Sequence, residues 1–368
     1  MKKLLTFPLL ILLLFGGGCG DVLYIEDTTV MLVLGIDEGK DKKFTIYQMS
    51  PVFSKEASEK SQLLEVQANS LREAKQYFDV MSNGTVVTGK IQIIIFSKEI
   101  LKKYEPMNII DYIYRDAKSS ANAQIVMFNG PLDEIMRFET PDKPRFGLFL
   151  NNLINSSYKN ETTAQTTAAT FRKQMSEKGI TPYIAELKIV KDGIRVTGIA
   201  LLDENGKYVT SIDIYESALL LLLTRQVDEP VPFVVQLPTK EEVVTMNIFN
   251  TNYNNNVKTV NGQLQFDLHL NMDVSIEEVS SDNHPIKNKK ELIKLIEKQI
   301  EKQTEELIKK LQQEEIDPLG LGVYARAYAY NHWKKVEDRW PKEFAKSKIN
   351  VHTKVNVKDH GIIDRTFE

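Results

Sequence analysis

The chain has 368 residues, 42% of them hydrophobic and 26% charged, the composition of an ordinary globular protein too long for one compact core. Its 47 basic and 50 acidic residues give a formal charge of −3, and no Lys/Arg block supplies the basic stripe that a phosphate backbone requires, so nucleic acid is not expected as a partner. A single cysteine excludes an intramolecular disulfide and every zinc site built on paired thiolates, and the five histidines never fall at metal-motif spacing.

At the N-terminus, Lys2 and Lys3 precede a twelve-residue apolar run, Leu4 to Phe15, and then three glycines, Gly16 to Gly18. Residues 1–18 are expected to be an export signal, since the apolar run is too short to span a bilayer comfortably. Small residues directly before Cys19 resemble a bacterial lipoprotein lipobox, with Gly16 standing where lipoproteins usually carry Leu. That resemblance implies a diacylated Cys19 that becomes the first residue after cleavage. A secreted protein with an incidental cysteine is the alternative. Loss of Lys2 and Lys3 with the signal would leave 45 basic against 50 acidic residues, a charge of −5.

Past the anchor, "TTVMLVLGID" (28–37) is β-branched and apolar, "DEGKDKK" supplies a turn, and "FTIYQMSPVF" resumes a strand, so a hairpin is expected. Ser70 with Glu73 forms a capping box ahead of Leu71, Ala74, Tyr77, Phe78 and Met81 at helical spacing. "GKIQIIIFS" (89–97) and "AQIVMF" (123–128) have strand length, with "PMNIIDYIYRDA" helical after Pro106 between them. Strands alternating with helices fit an α/β or an α+β module.

Residues 144–178 read as two helices around a Thr/Ala-rich stretch. The segment from Thr181 carries Asp192-Gly193 and Asn205-Gly206 between alternating stretches and reads as a β-meander. "SIDIYESALLLLLTRQ" is expected to be a buried core helix, because the run Leu219 to Leu223 is too short to cross a membrane. In the last third, Leu264, Phe266, Leu268, Leu270, Met272, Val274 and Ile276 alternate with polar residues along one long strand. Lys289 to Gln313 places Leu292, Ile296, Ile300, Leu307 and Leu311 on one helical stripe, with Glu305–Lys309 and Glu306–Lys310 as i,i+4 pairs. "INVHTKVNV" (349–357) alternates again and can close the sheet beside the long strand.

Chemistry-bearing motifs are sparse. Asp267, His269 and Asp273 share a strand face and could be written as metal ligands, but any amphipathic strand produces such trios and the outer two stand about 20 Å apart. "DPLGLG" (317–322) lacks the Gly-Lys-Ser/Thr ending of a phosphate loop and reads as a helix start, with Asp317 as N-cap and Pro318 in the first turn. No nucleophile elbow, H-E-x-x-H pair or dinucleotide fingerprint occurs. No catalytic residue, metal or cofactor is assigned.

The order of these features carries a resemblance. A lipobox-like Cys19, then a strand ending Leu34-Gly35-Ile36-Asp37, and at the far end Asp317, Gly320 and Gly322 before an aromatic and basic helix with Trp333 and Trp340, resembles the Ger(x)C family, the lipoprotein C-subunits of spore germinant receptors. "CGDVLY" departs from the Cys-Trp-Asp common in that family. The resemblance implies an α+β, multi-domain fold with mixed and antiparallel sheets under covering helices. Its expected division is a signal at 1–18, an α+β region at 19–195 with a split into 21–120 and 121–195 left open, and an α+β domain at 196–368. It further implies a non-enzymatic subunit, diacylglyceryl-anchored to the outer face of the spore inner membrane, assembling with receptor A- and B-subunits and binding no small molecule of its own. Asp317, Gly320, Gly322, Trp333 and Trp340 are then either a structural motif or part of a partner interface. The alternative function is a lipid-anchored solute-binding protein whose two lobes close on a small nutrient.

Overall fold

A computed structural model describes residues 28–53, 59–138, 145–191, 193–226, 230–236, 243–280 and 289–359. Cys19 and the export signal lie outside the described residues. The first elements are β1 (Thr28–Val30), β2 (Val33–Glu38), β3 (Phe44–Pro51), β4 (Ser61–Ala68), helix α1 (Leu71–Met81), β5 (Thr85–Val87) and β6 (Ile93–Ser97). Three short helices follow, α2 (Lys98–Lys103), α3 (Pro106–Ile109) and α4 (Asp111–Arg115), then β7 (Gln124–Phe128), α5 (Leu132–Met136), α6 (Phe146–Lys159) and α7 (Ala168–Ser176). The meander is β8 (Tyr183–Val190), β9 (Gly193–Leu202) and β10 (Tyr208–Ile212), and the leucine-rich helix is α8 (Ile214–Thr224).

These strands build an eight-stranded sheet of order β10-β9-β8-β7-β6-β2-β3-β4. Its centre, β8 to β2, is parallel, and antiparallel hairpins flank it on both sides. Central strands such as Ile93–Ser97 are buried throughout, as a sheet with both faces covered demands. One face packs on α1, α2 and α7 through Phe78, Ile100 and Phe171. The other packs on α5 and α6 through Leu132, Ile135, Leu150 and Ile154. The expected opening hairpin is β2 with β3, but the run 28–37 breaks at Met31–Leu32, and β1 pairs in parallel with β5 in a separate two-stranded sheet. At α1, Ser70 caps the Glu73 amide, whereas Glu73 reaches back to the Asn69 amide instead of that of Ser70, so the capping box is half formed.

The C-terminal part comprises β11 (Val231–Gln236), β12 (Val243–Val260), β13 (Gln263–Ser280), α9 (Lys289–Gln313), α10 (Leu321–Tyr328), α11 (Tyr330–Val336), a 3-10 turn at Glu337–Arg339, α12 (Trp340–Lys346) and β14 (Lys348–Asp359). A four-stranded sheet of order β11-β12-β13-β14 has its apolar face covered by α9. The long strand β13 buries Leu264 through Ile276 in alternation, and β14 lies beside it in parallel, both as the periodicity predicts. Of the expected helix pairs, Glu306 is bonded to Lys302, while Lys310 reaches Glu216 of α8 at 3.0 Å. The boundary expected between residues 195 and 196 falls inside β9, a strand of the eight-stranded sheet. Among the described residues no helix is long and apolar enough to cross a membrane.

Helix α8 ties the two parts together. Leu219 to Leu223 are all buried, in one core with Tyr183, Ile199 and Leu201 of the large sheet and with Val231, Phe233 and Phe266 of the small one. Asp213 and Glu216 close a complete capping box at its start. A helical run apolar on every side, as Leu219 to Leu223 is, belongs between two layers, which is where it sits. Leu221→Ala should therefore cost about 2–5 kcal/mol through the cavity left behind. Chemical denaturation of the folded chain measures this, and a loss below ~1 kcal/mol would mean that the two parts do not share a core.

Candidate functional site

The motif residues Asp317, Gly320, Gly322, Trp333 and Trp340 come together in one buried cluster where the C-terminal helices meet the segment joining α7 to β8. Their local structure starts from a turn, Asp317-Pro318-Leu319-Gly320, in which the Gly320 amide reaches the Asp317 carbonyl at 3.4 Å. Proline after aspartate and glycine at the fourth position suit such a turn, and Gly320 takes φ +70, a conformation costly for other residues. Helix α10 thus starts at Leu321 with Gly320 as its N-cap, which corrects the expectation of Asp317 as N-cap with Pro318 in the first turn. The expected single aromatic helix is likewise broken into α10, α11, the 3-10 turn and α12, the last opening with Pro341.

Asp317 does more than a cap would. Its side chain is 0% exposed, and Oδ2 accepts hydrogen bonds from the Gly322 amide at 3.0 Å and from the Trp340 indole Nε1 at 2.9 Å. Burial pushes this carboxyl up to about 6, against the opposing pull of those two donors. Its carbonyl accepts from the Thr181 amide at 2.9 Å, so one residue fixes α10, α12 and the start of β8. The indoles of Trp333 and Trp340 lie 5.2 Å apart, and Phe266 of β13 meets Trp340 edge-on at 6.5 Å.

Beside the carboxylate, two backbones touch. A Cβ on Gly322 would come within 2.4 Å of the Gly179 Cα, and one on Gly179, at φ +89, within 2.7 Å of the Gly322 carbonyl carbon. Ion pairs rim the contact, Lys178 with Asp338 at 2.8 Å and Arg326 with Glu177 at 2.5 Å. Sequence reasoning did not single out 177–181, whose glycine looks like that of any loop. Because Trp333 and Trp340 face inward, the aromatic surface of this region is formed by Tyr328 and Tyr330, 72% and 56% exposed.

The strand-face trio resolves into separate local contacts. Asp267 accepts from Asn350 and Lys258, which hold its carboxyl down to about 2, Asp273 accepts from Asn356 at 3.3 Å, and His269 stacks on His352 at 4.8 Å. Among the described residues no group of three or more His, Cys, Asp or Glu side chains is arranged to hold a metal ion.

Comparison with known proteins meets this architecture at both ends. The model for the spore germination protein N-terminal domain matches residues 21–189, and that for the spore germination B3/GerAC-like C-terminal domain matches residues 197–361. The chain belongs to the Ger(x)C family. The spore germination protein GerQC of Bacillus cereus is 21% identical over 374 residues, spanning 99% of this chain and 100% of that protein. The crystal structure of the GerBC protein shares the fold with a TM-score of 0.58 at 14% identity, covering 88% of this chain and 96% of that one. The α+β multi-domain fold and the germinant-receptor C-subunit family are thereby established for this chain.

Two expectations follow from the junction. The folded Asp317 carboxyl titrates near 6 and the unfolded one near 3.8, so the folded state holds an extra proton between those values and stability falls as pH rises through them. Relative to Asp317→Asn, the native chain should lose on the order of 3 kcal/mol between about pH 4 and pH 7. Urea denaturation at both pH values reads this difference, and a constant difference would contradict a desolvated carboxyl. Gly322→Ala, although favourable for a helix by about 1 kcal/mol, should lower stability by at least ~2 kcal/mol because its Cβ meets backbone. Quenching of the buried tryptophans by acrylamide should rise in parallel, and a variant as stable and as protected as the parent would rule out the close approach.

Proposed function

We propose that this chain is a lipid-anchored, non-enzymatic C-subunit of a nutrient germinant receptor. On this reading Cys19 carries the diacylglyceryl group and holds the protein on the outer face of the spore inner membrane. There it assembles with the A- and B-subunits and acts by contact in receptor assembly and signalling. The observation that carries the reading is the match of both family domains in tandem over nearly the whole chain. The GerQC relative, a spore germination protein collinear with this chain from end to end, supports it.

Physical features agree with action by contact. On β13, Asp267 and Asp273 accept hydrogen bonds from β14 and His269 stacks there, and the motif residues that carry the family resemblance form an internal junction. Two acyl chains, at about 0.8 kcal/mol per buried methylene, would hold the body on a bilayer where one chain would be marginal. Cys19→Ala should abolish incorporation of a fatty-acid analogue and markedly lower the fraction of chain held on membranes in cells lacking the A- and B-subunits. With those subunits present, wild-type chain recovered from spores should bring both of them with it. A wild-type chain that takes up no label, or an alanine variant equally membrane-bound without its partners, would refute the anchor; recovery without either subunit would refute the assembly role.

A further inference from the structure

We propose that the end of the fold built from β1, β5, α1 and α4 is a membrane-docking face for anionic phospholipid headgroups, which sets how the anchored body stands on the bilayer. This rests on Cys19 being the anchor. Thr28, the first residue of β1, is nine residues past Cys19, and an extended chain covers at most about 30 Å in that distance. The parallel register, Thr28 with Thr85 and Val30 with Val87, puts the start of β1 at the same end as the turn joining α1 to β5.

That turn presents apolar surface to solvent. Val80 is 81% exposed and Met81 48%, at the C-terminal end of a helix whose other face is buried through Leu71, Ala74 and Phe78. The position is rigid, because Asp79 accepts the Val86 amide at 2.8 Å and pairs with Lys75 at 2.7 Å. Next to it opens a cleft of about 430 Å³ lined by Arg72, Lys75, Arg115 and Lys118 with Asp116 as the one carboxylate. Arg115 is paired with Asp111, and Arg72 lies over the Tyr112 ring. Gly89 abuts the Lys118 carbonyl, so Lys90 follows directly on a residue that touches the cleft lining.

Five cations thus stand against three carboxylates, Asp79, Asp111 and Asp116, on a chain whose overall charge is negative. Lys90 and Lys118 are exposed, and among the described residues neither ammonium group is paired with a carboxylate, although the Lys118 amide donates to Asp116 Oδ1 at 3.0 Å. A small apolar protrusion flanked by unneutralised lysines is what an anionic interface attracts, through charge at the headgroups and burial just beneath them. The apolar cavity under the cleft, lined by Met31, Phe78 and Ile113, has a volume of about 20 Å³, too small for an acyl chain, so the contact is with the bilayer surface.

Vesicle flotation of the processed chain, beginning at residue 19 and carrying Cys19→Ala, tests this, because neither an acyl chain nor the apolar signal then contributes. Vesicles are phosphatidylcholine alone or phosphatidylcholine with phosphatidylglycerol, two to one. Partition onto the anionic vesicles should exceed that onto the neutral ones, vanish at ~1 M salt, and fall about 25-fold for Lys90→Gln/Lys118→Gln at about fivefold per cation. Val80→Ser/Met81→Ser should also weaken it. Equal partition onto both vesicles, or a double glutamine variant with unchanged thermal transition that floats like its parent, overturns the proposal. Displacement by millimolar inorganic phosphate at constant ionic strength also overturns it, by showing a site for a free anion. Fatty-acid labelling of the wild type reads the anchor separately, so failure of one idea is not mistaken for failure of the other.

Discussion

The close approach of Gly179 and Gly322 is the constraint on which the rest of the molecule depends. Only without side chains can the segment entering β8 lie against the first turn of α10, and that approach places Asp317 where it serves both the α10 amide and the Trp340 indole. The ion pairs at its rim are solvent-exposed and each contributes little, typically under about 1 kcal/mol. Burial outweighs them by far, since Trp333, Trp340 and Phe344 join the same core as the α8 leucines. The two sheets are consequently halves of one packed structure.

Much of this was readable in the sequence wherever one face of an element is buried. The β13 alternation, the α9 stripe and the leucine run of α8 each announced an element whose packing dictates its period. Strand β12 was not legible. Its stretch Asn250 to Asn256 is rich in a residue depleted from strands, and its inward set shifts after Ile248, because a bulge with Asn250 at φ 51 changes the register before Tyr253 and Asn255 turn inward. Pairing along β13 supplies what local propensity does not.

The motif at 317–322 shows a different limit. Its residue types announced a turn before a helix, and the turn is there. That its carboxylate would be fully buried depends on Gly179 and Trp340, neither adjacent in sequence, and no local pattern encodes such a contact. Cys19, with the signal before it, is legible only as chemistry in the sequence, since the described residues begin at Thr28.

The parallel placement of β14 beside β13 has a consequence for how the molecule comes into being. Every strand of the large sheet lies between residues 33 and 212, so that sheet can be complete while the chain is still emerging. The small sheet cannot, because β13 waits for a strand ending at Asp359, and the outward amides of Thr353 and Val355 are then taken up by Glu301 and Glu297 of α9. Until then, the α8 leucines that cover Tyr183, Ile199 and Leu201 lack part of their own cover from the small sheet. The growing chain therefore carries an incompletely covered apolar face from the time α8 emerges until the small sheet closes, and in that interval it is most vulnerable to aggregation and proteolysis.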